Sequence, residues 1–295
     1  MSSRIVIAGA GGQLGSSLTA QAQDQGRDVL ACTSSHWDIT DPAAAEAIVQ
    51  RGDVVINCAA YTDVDGAESD EAAAYAVNVT GPEHIARVCA RVGARLLHVS
   101  TDYVFDTDAA APQPFEPSDH TTPLGVYGRS KHAGEQAVLA ALPEAVVVRT
   151  AWVYTGGTGK DFVAVMRRLA AGDGPIDVVD DQTGSPTYVA DLAAALLQIV
   201  DDRVPGPILH AANEGVVSRF DQARAVFEEC GADPARVRPV STAQFPRPAP
   251  RPTYSALSGR ESVAAGMTPL RPWRPALVAA LAASVTDRPI TSTRD

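Results

Sequence analysis

The sequence predicts an α/β fold: a doubly wound parallel sheet with helices on both faces. Three observations carry this. An apolar run at 4–8 opens the chain, and a glycine-rich turn and a helix-like stretch follow it at once. Apolar runs and helix-like stretches then alternate as far as Arg149. Strand–helix alternation requires right-handed crossovers, and therefore parallel strands. At 295 residues the chain has room for one large α/β domain and an appended lobe.

The elements follow in order. Residues 4–8 read as a buried strand and 16–25 as a helix, separated by Gly9-Ala10-Gly11-Gly12-Gln13-Leu14-Gly15. Further strands are expected at 29–33, 54–58, 95–100 and 145–149. Helices are expected between them, at 42–51, 71–77, 82–92 and 127–141. Asp41 is placed to cap the first of these, with Pro42 at its first position. After Arg149 the regularity loosens. Loops are expected at 156–159 and 172–175, a helix at 162–171, a strand at 176–179, a helix at 189–200 and a strand at 207–211. Prolines 246, 248, 250 and 252 exclude a helix and remove donors a sheet would need, so 245–252 reads as an extended surface segment. The last ten residues read as a frayed tail, and there is no internal repeat.

The opening strand, glycine turn and helix form the context a dinucleotide-binding loop requires. Glycines permit the tight turn and let the backbone approach a pyrophosphate. The helix start then offers free N–H groups and the positive end of its dipole. The spacing is Gly9-x-x-Gly12-x-x-Gly15, with Gly11 overlapping the commoner G-x-G-x-x-G.

A second motif is Tyr127-Gly128-Arg129-Ser130-Lys131. Helical residues four apart share one face. A free tyrosine titrates near ~10, and a neighbouring cation favours the phenolate. Only two lysines occur among the 24 Lys+Arg, Lys131 and Lys160. Where any cation would serve, this chain uses arginine.

Composition excludes other classes. A net charge of −11 argues against a nucleic-acid surface. The sequence shows no basic-then-apolar leader and no apolar run long enough to span a membrane, which points to a cytoplasmic protein. Cys32, Cys58, Cys89 and Cys230 are scattered without metal-like pairing and read as free thiols in a reducing compartment. The six histidines lack ligand spacing, and His98 and His210 read as satisfied core residues. No metal site is expected.

Gly9-x-x-Gly12-x-x-Gly15, Tyr127-x-x-x-Lys131 and Asn78-Val79-Thr80-Gly81 together resemble the extended short-chain dehydrogenase/reductase superfamily. Further strings resemble one family within it, the dTDP-4-dehydrorhamnose reductases. These are Asn57-Cys58-Ala59-Ala60-Tyr61-Thr62-Asp63-Val64-Asp65, Ser100-Thr101-Asp102-Tyr103-Val104-Phe105, Arg149-Thr150-Ala151-Trp152-Val153-Tyr154, Asp180-Asp181-Gln182-Thr183-Gly184-Ser185-Pro186-Thr187 and Arg251-Pro252-Thr253-Tyr254-Ser255.

The resemblance implies a Rossmann-like doubly wound sheet with a smaller C-terminal substrate-binding lobe. Residues 1–150, with sheet additions from about 176–213, would hold the cofactor. Residues 151–175 and 214–285 would form the lobe, and 286–295 a flexible tail. It implies NADPH-dependent reduction of the 4-keto group of dTDP-4-dehydro-β-L-rhamnose to dTDP-L-rhamnose, a cell-wall precursor. The cofactor set would be Gly9, Gly12, Gln13, Leu14, Gly15, Asp38, Ile39, Ala59, Ala60, Tyr61 and Asn78, with Tyr127 and Lys131. The substrate set would be Thr62, Val64, Thr101, Asp102, Tyr103, Tyr127, Trp152 and Arg251.

Within that reading Tyr127 donates a proton to the carbonyl oxygen. Lys131 holds the nicotinamide ribose and lowers the tyrosine's pKa. Thr101, in preference to Ser100, hydrogen-bonds the carbonyl oxygen. Asp102 assists proton transfer, binds a sugar hydroxyl, or is a structural loop carboxylate. Trp152 is core filler or a stacking surface, and Arg251 a solvated loop residue or a diphosphate ligand. The second strand ends without the acid that NAD-specific folds use, so NADPH is expected, with NADH also accepted. Some relatives carry a glutamate after the third glycine and bind Mg²⁺ between subunits. Ser16-Ser17 stand there here and are poor ligands for a hard cation, so a monomer or a metal-independent oligomer is expected. A nucleotide-sugar epimerase or dehydratase, or a non-catalytic NADP-binding regulatory subunit, would share the fold. Retention of Tyr127 and Lys131 and the single acid after Thr101 speak against these.

Overall fold

Apolar and polar stretches become strands and helices in the expected order in a computed structural model of the chain, which describes residues 3–106, 112–157 and 159–286. β1 (Ile5–Ala8) leads to α1 (Gln13–Asp24), β2 (Val29–Cys32), α2 (Pro42–Ile48) and β3 (Val54–Asn57). Asp41 caps α2 by accepting from the Ala43 N–H. Two short helices, α3 (Val64–Ser69) and α4 (Glu71–Tyr75), pass through a π-helical turn at Ala76–Thr80 into α5 (Gly81–Val92). β4 (Arg95–Thr101), α6 (Val126–Ala141) and β5 (Val146–Thr150) complete this half.

The second half is built of shorter pieces. β6 (Val153–Tyr154), α7 (Phe162–Ala170), β7 (Ile176–Val179), β8 (Thr183–Gly184) and β9 (Thr187–Tyr188) precede α8 (Val189–Asp202) and β10 (Ile208–His210). Then come β11 (Val217–Ser218), α9 (Arg219–Glu229), β12 (Val237–Val240), α10 (Arg260–Ala264) and α11 (Trp273–Thr286). Residues 245–252 contain neither helix nor strand. Of the expected tail, 287–295 lie outside the described residues, as does Thr158 of the expected glycine loop.

Six strands form one sheet in the order β10-β5-β4-β3-β1-β2, with every pairing parallel. Strand alternation sends Ile5 and Ile7 into one apolar layer with Leu18 of α1 and Leu192, Leu196 and Ile199 of α8. Val6 and Ala8 enter the other, with Ile85 and Val88 of α5 and Val138 of α6. The sheet is therefore covered on both faces. The order reverses at β1, and the crevice outside the carboxyl ends of β1 and β3 is where such sheets take ligands.

A third apolar cluster joins α7, α9 and α11 through Val163, Met166, Val226, Phe227, Leu277 and Leu281. One expectation needs correction here. Ile176–Val179, placed among the additions to the main sheet, pairs in parallel with β12 and packs into this third cluster. Val178 is buried against α9 rather than against the main sheet, because the partner strand comes from a part of the chain that sequence adjacency does not reveal.

Candidate active site

The carboxyl edge of the sheet opens into a cleft of about 860 Å³. Sheet order sets the order of its lining. Thr33, Ser34, Asp38 and Ile39 follow β2, and Gly9, Gly12, Gln13, Leu14 and Gly15 follow β1. Ala59, Ala60, Thr62 and Val64 follow β3, Thr101, Asp102 and Tyr103 come at the end of β4, and Thr150 and Trp152 at the end of β5. Tyr127 and Lys131 reach in from α6, and Arg219 from α9.

The glycine turn fits a dinucleotide. Gly9 adopts φ +78°, and a Cβ there would stand 2.6 Å from the Ala59 nitrogen. A Cβ on Gly15 would collide with the Gly9 carbonyl, so α1 can approach the turn only through glycine. Gly12 differs: its Cβ would meet nothing closer than the Gly9 oxygen at 3.4 Å, so the protein itself does not demand glycine there. Gly12 caps α1 without a side-chain acceptor, which leaves the first-turn N–H groups open to the cleft. A phosphate-bearing ligand would supply what both observations lack.

Asp38 accepts from Thr40 through N–H at 2.9 Å and hydroxyl at 2.7 Å, and these bonds hold its carboxyl below the ordinary range. Thr33 and Ser35 share a hydroxyl–hydroxyl bond of 2.9 Å at the end of β2, where an acid is absent.

Thr101, Asp102, Tyr127 and Lys131 come together in mid-cleft. The Thr101 hydroxyl accepts from the Tyr103 N–H at 3.2 Å, lies 3.2 Å from Asp102 Oδ1, and shares a hydrogen bond with Tyr127. Tyr103 meets Tyr127 edge-on with centroids 5.4 Å apart. Burial pushes the Tyr127 phenol above its ordinary value, against the hydrogen bond from Thr101. The net direction is therefore upward, where the lysine's charge alone is expected to bring it down. The lysine's Nζ donates to the Val99 carbonyl at 2.8 Å, and burial outweighs any help it gives. Burial also pushes Lys131 itself down to about 8, with Glu135 opposing. Burial raises the Asp102 carboxyl to about 6, although Ser255 donates to its Oδ2 at 2.6 Å.

Ser100 is directed elsewhere. Its hydroxyl donates to Glu135 Oε1 at 2.5 Å, and the same carboxylate takes two bonds from Arg149, at 2.9 and 2.7 Å. This buried pair, which sequence reading missed, holds Glu135 down at about 2. It occupies Ser100 and leaves Thr101 as the hydroxyl of the two that engages the Tyr127 phenol.

Asn78 and Tyr61 do not line the cleft. The Asn78 amide accepts from the Tyr61 N–H at 2.9 Å and donates to the Tyr61 carbonyl at 3.2 Å and to Ser130 Oγ at 3.0 Å. Both N–H donors and the oxygen of the amide are engaged, and they fasten the loop after β3 to α6. His98 and His210 are only half satisfied: Nδ1 of each is bonded, to Asn57 and the Ser258 carbonyl, while Nε2 of each is buried without a partner. All four cysteines are free. Among the described residues no cluster of three His, Cys, Asp or Glu could hold a metal, and no helix is long and apolar enough to cross a membrane.

On the β5 side, Trp152 has φ +47°, a conformation costing a bulky residue about 1–3 kcal/mol. Its indole lies against Gly184, where a Cβ would come within 2.5 Å of the ring. The Arg219 guanidinium stacks on the same indole at 3.4 Å from the centroid. Sequence reading missed Arg219; the β8–β11 pair, Val217 opposite Gly184, brings it there. Arg251 is not part of the lining. Its guanidinium is paired with Asp65, which also holds Arg247 at 2.8 Å, and it hydrogen-bonds Tyr103.

Comparison with known proteins matches residues 3–286 to the family model described as the RmlD substrate binding domain. The dTDP-4-dehydrorhamnose reductase of Mycobacterium tuberculosis is 76% identical, over 100% of this chain and 99% of its own length. That of Mycolicibacterium smegmatis is 61% identical, over 99% and 90%. A crystal structure of dTDP-4-dehydrorhamnose reductase from Bacillus anthracis in complex with NADP superposes with a TM-score of 0.90 at 36% identity, covering 96% of this chain and 100% of that one.

Proposed function

The chain belongs to the dTDP-4-dehydrorhamnose reductase family, the family of the RmlD substrate binding domain, and from that premise we propose how its cleft works. It is an NADPH-dependent oxidoreductase that reduces the 4-keto group of dTDP-4-dehydrorhamnose, giving dTDP-L-rhamnose. NADPH bound along the glycine turn supplies the hydride that the carbonyl carbon takes up.

The observation that carries the mechanism is the meeting of Thr101, Tyr127 and Lys131 at the carboxyl edge of β4. The phenol, raised by burial, is fully protonated at neutral pH, as a proton donor must be. Thr101 orients it and, on turning its hydroxyl proton from Asp102, offers the carbonyl oxygen a second hydrogen bond. When the proton leaves, a phenolate forms one helical turn from Lys131. That anion offsets the burial that disfavours the ammonium, so the lysine stabilises the charge as it develops. Lys131 also holds the cofactor's ribose. Asp102 keeps Thr101 and Ser255 in place, and near pH 6 it is poised to hold or release a proton.

Gly9, Gly12, Gln13, Leu14 and Gly15 take the pyrophosphate, and Asp38 and Ile39 the adenosine end. NADH is accepted as well, because the end of β2 carries neither an acid nor an arginine. Thr62, Val64, Tyr103 and Trp152 receive the nucleotide-sugar, with Arg251 acting on it across Tyr103. The protein works in the cytoplasm.

The test is NADPH absorbance with the dTDP-4-keto-sugar made in situ. Wild type should oxidise NADPH stoichiometrically with sugar. Tyr127→Phe should lose ~100-fold to ~10,000-fold in turnover while still binding cofactor. Activity within a few-fold of wild type would remove Tyr127 from the proton transfer.

A further inference from the structure

We propose that Arg219 is the principal cation for the substrate's diphosphate, held in a seat that Trp152, Phe162 and Gly184 build for it. This rests on the reading of the cleft as a nucleotide-sugar site. The guanidinium lines the cleft and is half-buried. It lies 3.4 Å from the Trp152 ring centroid and 4.8 Å from that of Phe162. Its hydrogen bond within the chain runs from Nη1 to Gln222 Oε1, a neutral acceptor, at 3.3 Å.

Charge accounting separates it from its neighbours. Arg149 is matched by Glu135, and Arg251 shares Asp65 with Arg247. Arg219 makes no ion pair with any described carboxylate; Asp102 and Tyr103 act on it only at a distance. It is also the first residue of α9, where the positive end of the helix dipole opposes a cation. A guanidinium enclosed without a counter-ion, at a place that further disfavours it, is costly to the chain alone. An anion entering the cleft would relieve both terms.

The geometry suits that anion. Stacking on an aromatic ring engages the guanidinium's face and leaves its in-plane N–H donors free. A planar fork of donors matches phosphate oxygens in pairs. The indole that carries it is held by a left-handed backbone at φ +47° and by the missing Cβ of Gly184. Trp152 is thus a support for Arg219, with a ring face already occupied. The indole carries the cation on one face in addition to walling the nucleotide-sugar site.

The test is calorimetric titration of the full-length protein with dTDP, dTMP and thymidine, and with NADPH as control. Wild type should bind dTDP more tightly than dTMP. Arg219→Gln should lose about tenfold or more in dTDP affinity and change little for thymidine. Arg219→Lys should recover part of the loss, and NADPH affinity should stay within about twofold of wild type in both. Arg251→Gln should lose less than Arg219→Gln, because Asp65 already neutralises it. Equal dTDP affinity in wild type and Arg219→Gln, a larger loss in Arg251→Gln, or loss of NADPH binding by both Arg219 variants would overturn the assignment. Wild type that binds NADPH but no dTDP would instead overturn the nucleotide-sugar reading, and this proposal with it.

Discussion

Asp102 sits where burial and its hydrogen bonds pull its proton affinity in opposite directions. Its folded value of about 6 stands above the 3.8 of a free aspartate, chiefly through burial. Between those values the folded chain keeps a proton that the unfolded chain releases, so stability falls as pH rises through that window. Below the unfolded value its contribution is complete, and above the folded value it is gone. Asp102→Asn removes the titration. Relative to wild type, the variant should gain stability from pH 4 to pH 7, on the order of 3 kcal/mol, in urea denaturation at a series of pH values. An offset that stays constant over that range would mean that the carboxyl ionises as a free one does. At this scale the sequence shows chemistry that lies on one element and hides chemistry assembled from several. Tyr127 and Lys131 are legible because they share a helix face. Glu135–Arg149 and Trp152–Arg219 are not, because packing of α6 on β5 makes the first pair and the β8–β11 pairing the second.

The glycine turn and α1 act as one element, and their glycines answer to different neighbours. Gly15→Ala drives a methyl group into the Gly9 backbone and should cost about 1–3 kcal/mol along with cofactor affinity. Gly12→Ala meets ordinary contact within the protein and should keep its melting temperature while weakening NADPH binding. Paired melting curves and fluorescence titrations would decide this; a stable Gly12→Ala that binds NADPH like wild type would move the pyrophosphate elsewhere. The strands of the main sheet were legible as unbroken apolar runs, because strands buried on both faces carry no alternation to obscure them. Later elements were harder to read. α9 begins Arg219-Phe220-Asp221-Gln222 and resembles a polar loop, and α11 carries Pro275 in its first turn. The π-helical turn at Ala76–Thr80 depends on α6, where Gly134 lies so close to the Asn78 carbonyl that a Cβ there would collide with it. No local pattern encodes such an approach.

Across the whole molecule, α1 presents Ser16 and Ser17 just after the glycine turn, hydroxyls that are poor ligands for a hard cation. Activity should therefore survive exhaustive EDTA, and light-scattering mass should not change when Mg²⁺ is restored. Inactivation reversed by Mg²⁺ would show that other groups make a site. The sheet's connectivity also bears on how the chain is made. β5 is complete at Thr150, but its outer neighbour, β10, begins only at Ile208. In a chain emerging N-terminus first, five strands can assemble while Val147 and Val148 still present unpaired backbone groups on a strongly β-forming edge. The three residues of β10 close that edge, with Ile208 opposite Val147 and Leu209 opposite Val148. Synthesis thus passes through an interval in which self-association competes with folding, and it ends only when β10 and the covering α8 have left the ribosome.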